Sequence, residues 1–218
     1  MANFGVLGTG VVGPTIGSKL IELGHSVMLG ARDAANEKAT AWAADAGELA
    51  HHGTFRDAAQ FGNVIVNATL GLGSLAALEA AGTENLAGKV LIDISNLLDF
   101  SNGFPPSVGV PSTDSLAEQI QRAHPDARVV KTLNTATASV MVDPSRVPGE
   151  HQVFVSGDDA DAKASVTDLL VSFGWPASRI LDLGGIATAR ATEFYILLWV
   201  QLYSTLGTSE FNIEVHRA

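Results

Sequence analysis

The chain has 218 residues, 46% hydrophobic and 17% charged, enough to bury about 70% of the surface its unfolded form exposes without covalent staples. Its 13 Lys+Arg against 23 Asp+Glu leave a formal charge of -10, and the basic residues are scattered rather than striped, so nucleic acid is excluded as an expected partner. Cysteine is absent, which removes disulfides, thiolate nucleophiles, iron–sulfur clusters and thiolate zinc sites and leaves redox chemistry to a bound cofactor.

Short apolar runs alternate with longer helical patterns along the chain. Phe4 to Leu7 reads as the first strand; Val12, Ile16, Leu20 and Leu23 then recur on one helical face, with Pro14 in the first turn and Gly24 closing the end. Val27 to Leu29 is the second strand, followed by an alanine-rich helix over Asn36 to Ala46 and a third strand over His51 to Phe55. Val64 to Val66, Val90 to Ile94 and Val129 to Leu133 complete six strands before residue 135. Phe100 to Pro111, with Pro105, Pro106 and Pro111, is the longest irregular stretch. Beyond Gly149 come a strand at Val153 to Val155, a helix opened by Asp158, Asp159 and Asp161, a short strand near Ile180 and a long terminal helix.

This alternation predicts an α/β fold, a Rossmann-type doubly wound, mainly parallel sheet. Residues 1–135 are expected to form a dinucleotide-binding domain, and 136–218 a small C-terminal α/β extension packed on it and ending in a long apolar helix. Phe194 to Leu206 is too short for a bilayer and carries Gln201, so no membrane partner is expected. No basic segment leads into an apolar core near residue 1, and the expected location is cytoplasmic.

Gly8-Thr9-Gly10-Val11-Val12-Gly13 has the G-x-G-x-x-G pattern, leaving a predicted strand and opening an amphipathic helix. Gly8 permits the tight turn, Gly10 the approach of a pyrophosphate, and Gly13 the packing of helix on strand; free N–H groups at the helix start then meet the phosphates. The second strand ends Leu29-Gly30-Ala31-Arg32-Asp33. Ala31 stands where an acid would bind the ribose of NAD, and the Arg32 guanidinium suits a 2′-phosphate, so NADP is the expected cofactor. Asp33 serves the ribose instead if the strand ends later.

The fourth strand end, Val66-Asn67-Ala68-Thr69-Leu70-Gly71, the fifth, Asp93-Ile94-Ser95-Asn96, and the sixth, Asn134-Thr135, lie where ligands gather in such sheets. Ala68, Thr69 and Asn96 are accordingly cofactor candidates. His51 and His52 point to opposite faces of a strand, the remaining histidines have no metal-ligand spacing, and no G-x-S-x-G elbow occurs, so neither a catalytic side chain nor a metal is assigned.

With these residues in place, the chain resembles the NADP oxidoreductases that depend on the deazaflavin coenzyme F420. The resemblance rests on Gly8-Thr9-Gly10 with Gly13, Gly30-Ala31-Arg32, Gly88 to Asp93 entering Ser95-Asn96, Val130 to Thr135, Val153 to Asp159, and a terminal Glu210-Phe211-Asn212-Ile213. It implies that Thr9 and Arg32 hold the 2′-phosphate and that Asn134, Thr135, Ala136, Thr137 and Ala138 contribute to a deazaflavin pocket. Ala31 departs from the serine usual in that family. The resemblance also implies a homodimer, which suits the terminal helix, apolar almost all round with Phe194, Tyr195, Ile196, Leu197, Leu198, Trp199, Leu202 and Tyr203 and therefore expected to be buried. Two rings stacked about 3 to 3.5 Å apart exchange hydride directly, and the protein supplies positioning. Two other readings are a dehydrogenase of a small carbonyl or imine, for which Lys131 is the candidate catalytic residue, and a non-catalytic NADP(H) sensor.

Overall fold

Val, Ile and Leu dominate the short runs because strands buried on both faces need apolar side chains on both. The structure, a computed structural model, describes residues 1–216. Its first half runs β1 (Asn3–Leu7), α1 (Val12–Glu22), β2 (Ser26–Ala31), α2 (Glu37–Ala46), β3 (Ala50–Thr54), α3 (Phe55–Phe61), β4 (Val64–Asn67), α4 (Gly71–Ala81), α5 (Thr83–Leu86) and β5 (Val90–Asp93). A small ribbon, β6 (Leu98–Asp99) with β7 (Ser107–Val108), follows. Then come α6 (Leu116–Ala123), β8 (Arg128–Thr132), α7 (Ala138–Val142), β9 (Val153–Ser156), α8 (Ala160–Ser172), β10 (Ile180–Gly184) and α9 (Ala189–Leu206).

Eight strands form one sheet in the order β10-β9-β8-β5-β4-β1-β2-β3. Every neighbouring pair is parallel except β8 with β9, so the two C-terminal strands extend the same sheet in the opposite sense. The strand order reverses between β1 and β4, and the carboxyl ends of those two strands open the crevice in which a doubly wound sheet takes its ligand. Successive residues of a strand face opposite sides. Val6, Leu29, Val66, Ile92 and Val130 pack with Ile16 and Leu20 of α1, Val140 of α7 and Leu170 of α8. Leu7, Ile65, Leu91 and Val129 pack on the other side with Ala58 of α3, Leu78 of α4 and Ile120 of α6.

Three expectations are corrected. Phe100 to Pro111 is not wholly irregular, because Ser107 and Val108 return to pair with Asp99 and Leu98. In the aspartate cluster Asp159 caps α8, accepting from the Ala162 N–H at 2.7 Å, and Asp161 lies in its first turn, as expected, but Asp158 instead accepts the Ile186 N–H at 2.8 Å and ties β9 to the chain after β10. The terminal helix is only half buried: Thr192, Glu193, Ile196 and Val200 face inward, and Leu197, Leu198, Tyr203 and Leu206 lie exposed. No helix among the described residues is long and apolar enough to cross a membrane.

Candidate active site

β1 stops at Leu7 because Gly8, at φ +118°, turns the chain into a conformation that side chains rarely adopt. A Cβ on Gly13 would lie 1.9 Å from the Gly8 carbonyl oxygen, so only glycine lets α1 pack this closely on the turn. Around Gly10 a Cβ would meet nothing within 4 Å, which leaves the backbone open on the cleft side. The first N–H groups of α1 lack intrahelical partners, and Pro14 falls where no N–H is needed. Open backbone, orphan donors and a positive helix end fit a pyrophosphate.

A cleft of about 800 Å³ opens here, lined by Gly8, Thr9, Gly10, Ala31, Arg32, Asp33, Asn36, Ala68 and Thr69, with Phe55 and the alanines of α4 behind. β2 ends at Ala31, so Arg32 and Asp33 both follow the strand. Asp33 is occupied locally, accepting the Ala35 N–H at 2.9 Å. Arg32 is exposed and, among the described residues, has no hydrogen bond or ion pair, so its guanidinium is available to an anion at the cleft rim. It does not pair with Asp33.

A second cleft of about 420 Å³ adjoins the first and shares Ala68, Thr69 and Leu70 with it. Val11, Val12, Asn96, Asn134, Ala136, Thr137, Ala138 and Met141 line it, and α9 contributes Ile196 and Trp199. Asn96 therefore belongs to the second cleft rather than the first. Its Nδ2 donates to the Asn134 carbonyl at 2.8 Å and its Oδ1 accepts from Asn134 Nδ2 at 3.0 Å, pinning the tips of β5 and β8 together. Leu133, at φ 61°, makes the turn that presents Asn134, a conformation costing roughly 1–2 kcal/mol for a residue with a Cβ. Thr135 is buried and is not among the residues that line the cleft. Gly13 lines neither cleft, and its role is the close packing of α1.

No titratable side chain lines the second cleft among the described residues. Lys131 lies beneath it, fully buried, with Nζ 2.8 Å from Asp93 and 3.0 Å from Glu193, and it also donates to the Ser95 carbonyl. Burial opposes its charge, and the two carboxylates outweigh burial, so its pKa stands above the ordinary lysine value. The candidate lysine of the carbonyl or imine reading is thus held away from both clefts. Leu70 and Gly71 line the second cleft as the strand-end reading expects, whereas Ile196 and Trp199 do not follow from sequence; their one sign is Glu193, a charge near the start of an otherwise apolar helix.

Residues 3–97 match the family described as NADP oxidoreductase, coenzyme F420-dependent. A candidate F420-dependent NADP reductase from Arthrobacter sp. FB24 is 48% identical, with each chain fully covered and a TM-score of 0.93. Metalloreductase STEAP3 of Rattus norvegicus is 30% identical over 191 residues, 87% of this chain but only 35% of that protein, so the chain spans about a third of that relative's length. A reductive aminase from Aspergillus terreus in complex with NADPH and ethyl levulinate shares the fold, with a TM-score of 0.65 at 19% identity over 95% of this chain and 63% of that one.

Proposed function

Since the chain belongs to the coenzyme F420-dependent NADP oxidoreductase family and is an NADP-dependent oxidoreductase, we propose that it exchanges hydride between NADP(H) and a deazaflavin held in the second cleft. The observation that carries this is the junction: two clefts meet at Ala68, Thr69 and Leu70, and the second has no acid or base in its wall. Hydride would pass directly between two rings held in contact, with no acid or base needed in the wall, and the proton that completes reduction of the deazaflavin would come from solvent.

In this proposal the Gly8 to Gly13 turn and the N–H groups opening α1 bind the pyrophosphate, while Thr9 and Arg32 hold the 2′-phosphate. When bound, the two rings supply the hydride chemistry themselves. Thr69 and Asn96 orient the nicotinamide end. Asn134, Ala136, Thr137 and Ala138, with Trp199 and Ile196 of α9, form the wall that holds the second ring against it and excludes water. Stopped-flow absorbance with NADPH and oxidised F420 tests the reading. Rapid bleaching of the deazaflavin is expected; NADPH binding without bleaching would refute the second-ring assignment.

The same proposal includes a homodimer through α9. Leu198, Tyr203 and Leu206 are 52%, 48% and 55% exposed on one stretch of helix, an apolar face that a symmetric partner would cover. Light scattering should give a dimer, converted to monomer by Leu198→Glu; a wild-type monomer would end this part of the proposal.

A further inference from the structure

Thr69 brings a hydroxyl to the junction of the two clefts, and a hydroxyl has one proton to give. Where that proton goes is decided out of sight of the clefts. Lys131 donates to Asp93 Oδ2 at 2.8 Å. Asp93 Oδ1 accepts from Asn67 Nδ2 at 2.8 Å and from the Ser95 hydroxyl at 2.6 Å. A carboxylate held by an ammonium group can only accept, so the Asn67 amide is forced to turn its NH₂ toward Asp93 and its carbonyl oxygen outward. That oxygen, in turn an acceptor only, takes the Thr69 hydroxyl proton at 2.7 Å.

Ser74 completes the chain. Its Oγ lies 2.8 Å from Thr69 Oγ1 and accepts from Asn67 Nδ2 at 3.2 Å. With the Thr69 proton already committed, Ser74 is the donor in their shared bond, which at 2.8 Å is far shorter than its alternative of 3.5 Å to the Leu70 carbonyl. Thr69 Oγ1 is left with an unused lone pair and no proton. Asn67, Ser74, Asp93 and Lys131 are buried, at 0% to 1% exposure, so water does not scramble this order.

We propose that the buried chain Lys131, Asp93, Asn67 fixes the Thr69 hydroxyl as a hydrogen-bond acceptor toward the clefts. The site thereby selects a ring bearing a primary carboxamide, which has N–H to give, over one bearing a bare ketone. Thr69 is the contact, and Asn67, Asp93 and Lys131 are positioning residues. The inference rests on the placement of the nicotinamide end against Thr69 proposed above.

The test is equilibrium binding, by calorimetry, of NADP, its 3-acetylpyridine analogue and 2′,5′-ADP. The first two differ at the ring substituent by an NH₂ against a CH₃; the third reports the dinucleotide cleft alone. Wild type should prefer NADP to the analogue about tenfold, the worth of one hydrogen bond. Thr69→Val should erase the preference while changing 2′,5′-ADP affinity far less, Thr69→Ser should restore it, and Asn67→Ala, which removes the acceptor that commits the Thr69 proton, should weaken it. A purely structural role would weaken all three ligands together. Equal wild-type affinity for NADP and the analogue, or a preference that survives in Thr69→Val, overturns the inference while leaving the cofactor assignment standing. Should Asn67→Ala not fold, the Thr69 pair decides. Binding of none of the three by wild type would remove the NADP reading and this inference with it.

Discussion

The two clefts that meet at Thr69 are built in opposite ways. The first takes one side from a glycine turn and a strand end close together in sequence, within residues 8–36, and the other from Phe55, Ala68, Thr69 and one face of α4. The second is assembled from side chains on Val11 and Val12, the tips of β4, β5 and β8, α7 and α9, segments separated by up to about 190 residues of sequence. A backbone site depends on a few residues that cannot be enlarged. An assembled site depends on whatever locks its pieces together, here a buried ion cluster that no ligand touches.

The largest effect should come from that cluster. Lys131 holds Asp93 on β5 and Glu193 on α9, and Glu193 also accepts the Leu116 and Ala117 N–H groups at the start of α6, at 2.7 and 3.0 Å. Lys131→Met leaves two buried carboxylates without their cation, a loss of about 3–5 kcal/mol. Urea unfolding should register it, and the second cleft should suffer more than the first: affinity for F420 should fall while 2′,5′-ADP binding at native conditions persists. Equal damage to both clefts would mean that they are not separately supported.

Gly13→Ala is the opposite cut. The added Cβ would collide with the Gly8 carbonyl, and backbone rather than a flexible side chain must move. Overpacking of this kind costs up to about 3 kcal/mol. Affinity for 2′,5′-ADP should drop severely, measured by calorimetry, with thermal stability falling in parallel. Arg32→Ala removes only a charge at the rim. It should weaken NADPH by about 10- to 100-fold, as for a hydrogen bond to an ionised group worth about 1.5–3 kcal/mol, and leave NADH unchanged. A loss shared by both coenzymes would place the 2′-phosphate elsewhere.

The same contrast explains what could be read in advance. Strands β1, β2, β4, β5 and β8, and the glycine turn of the first cleft, follow from apolar period and a contiguous glycine motif, whereas β3, Ala50-His51-His52-Gly53-Thr54, has no such period and ends before Phe55, which opens α3. The ribbon at Leu98–Asp99 and Ser107–Val108 escaped because two-residue strands are shorter than any pattern. That Thr135 is buried while Asn134 lines the cleft depends on the turn at Leu133, and a left-handed leucine is not announced by its sequence. Ile196 and Trp199 were missed because a helix that reads apolar all round does not reveal its inward face. Glu193 sets that face by its bond to Lys131, and a pairing across 62 residues is a tertiary fact.

The smallest effect concerns pH, and it too separates the clefts. α9 is tied to α6 by Arg190, whose Nε and Nη2 donate to Glu118 at 2.8 and 2.6 Å, while Ser115 donates to the same carboxylate at 2.7 Å. The Arg190 guanidinium, acting against partial burial, holds the Glu118 carboxyl below the usual carboxylate range. Nearby Asp114 is pushed down to about 2 by Arg122 and so stays charged through most of the same window. A carboxyl with a depressed folded pKa contributes fully above its unfolded value, about 4.3 for glutamate, and that contribution is lost as pH falls below it toward the folded value. The thermal midpoint of wild type should therefore decline more steeply between about pH 5 and pH 3 than that of Glu118→Gln, whose amide does not titrate. Because Arg190 is 39% exposed on its side chain, solvent screening keeps the difference small. Over the same interval F420 affinity should weaken before 2′,5′-ADP affinity, since α9 walls only the second cleft. Parallel midpoints for the two proteins would show that the Glu118–Arg190 pair does not hold α9 in place and leave that role to Glu193, bonded to Lys131 and to the start of α6.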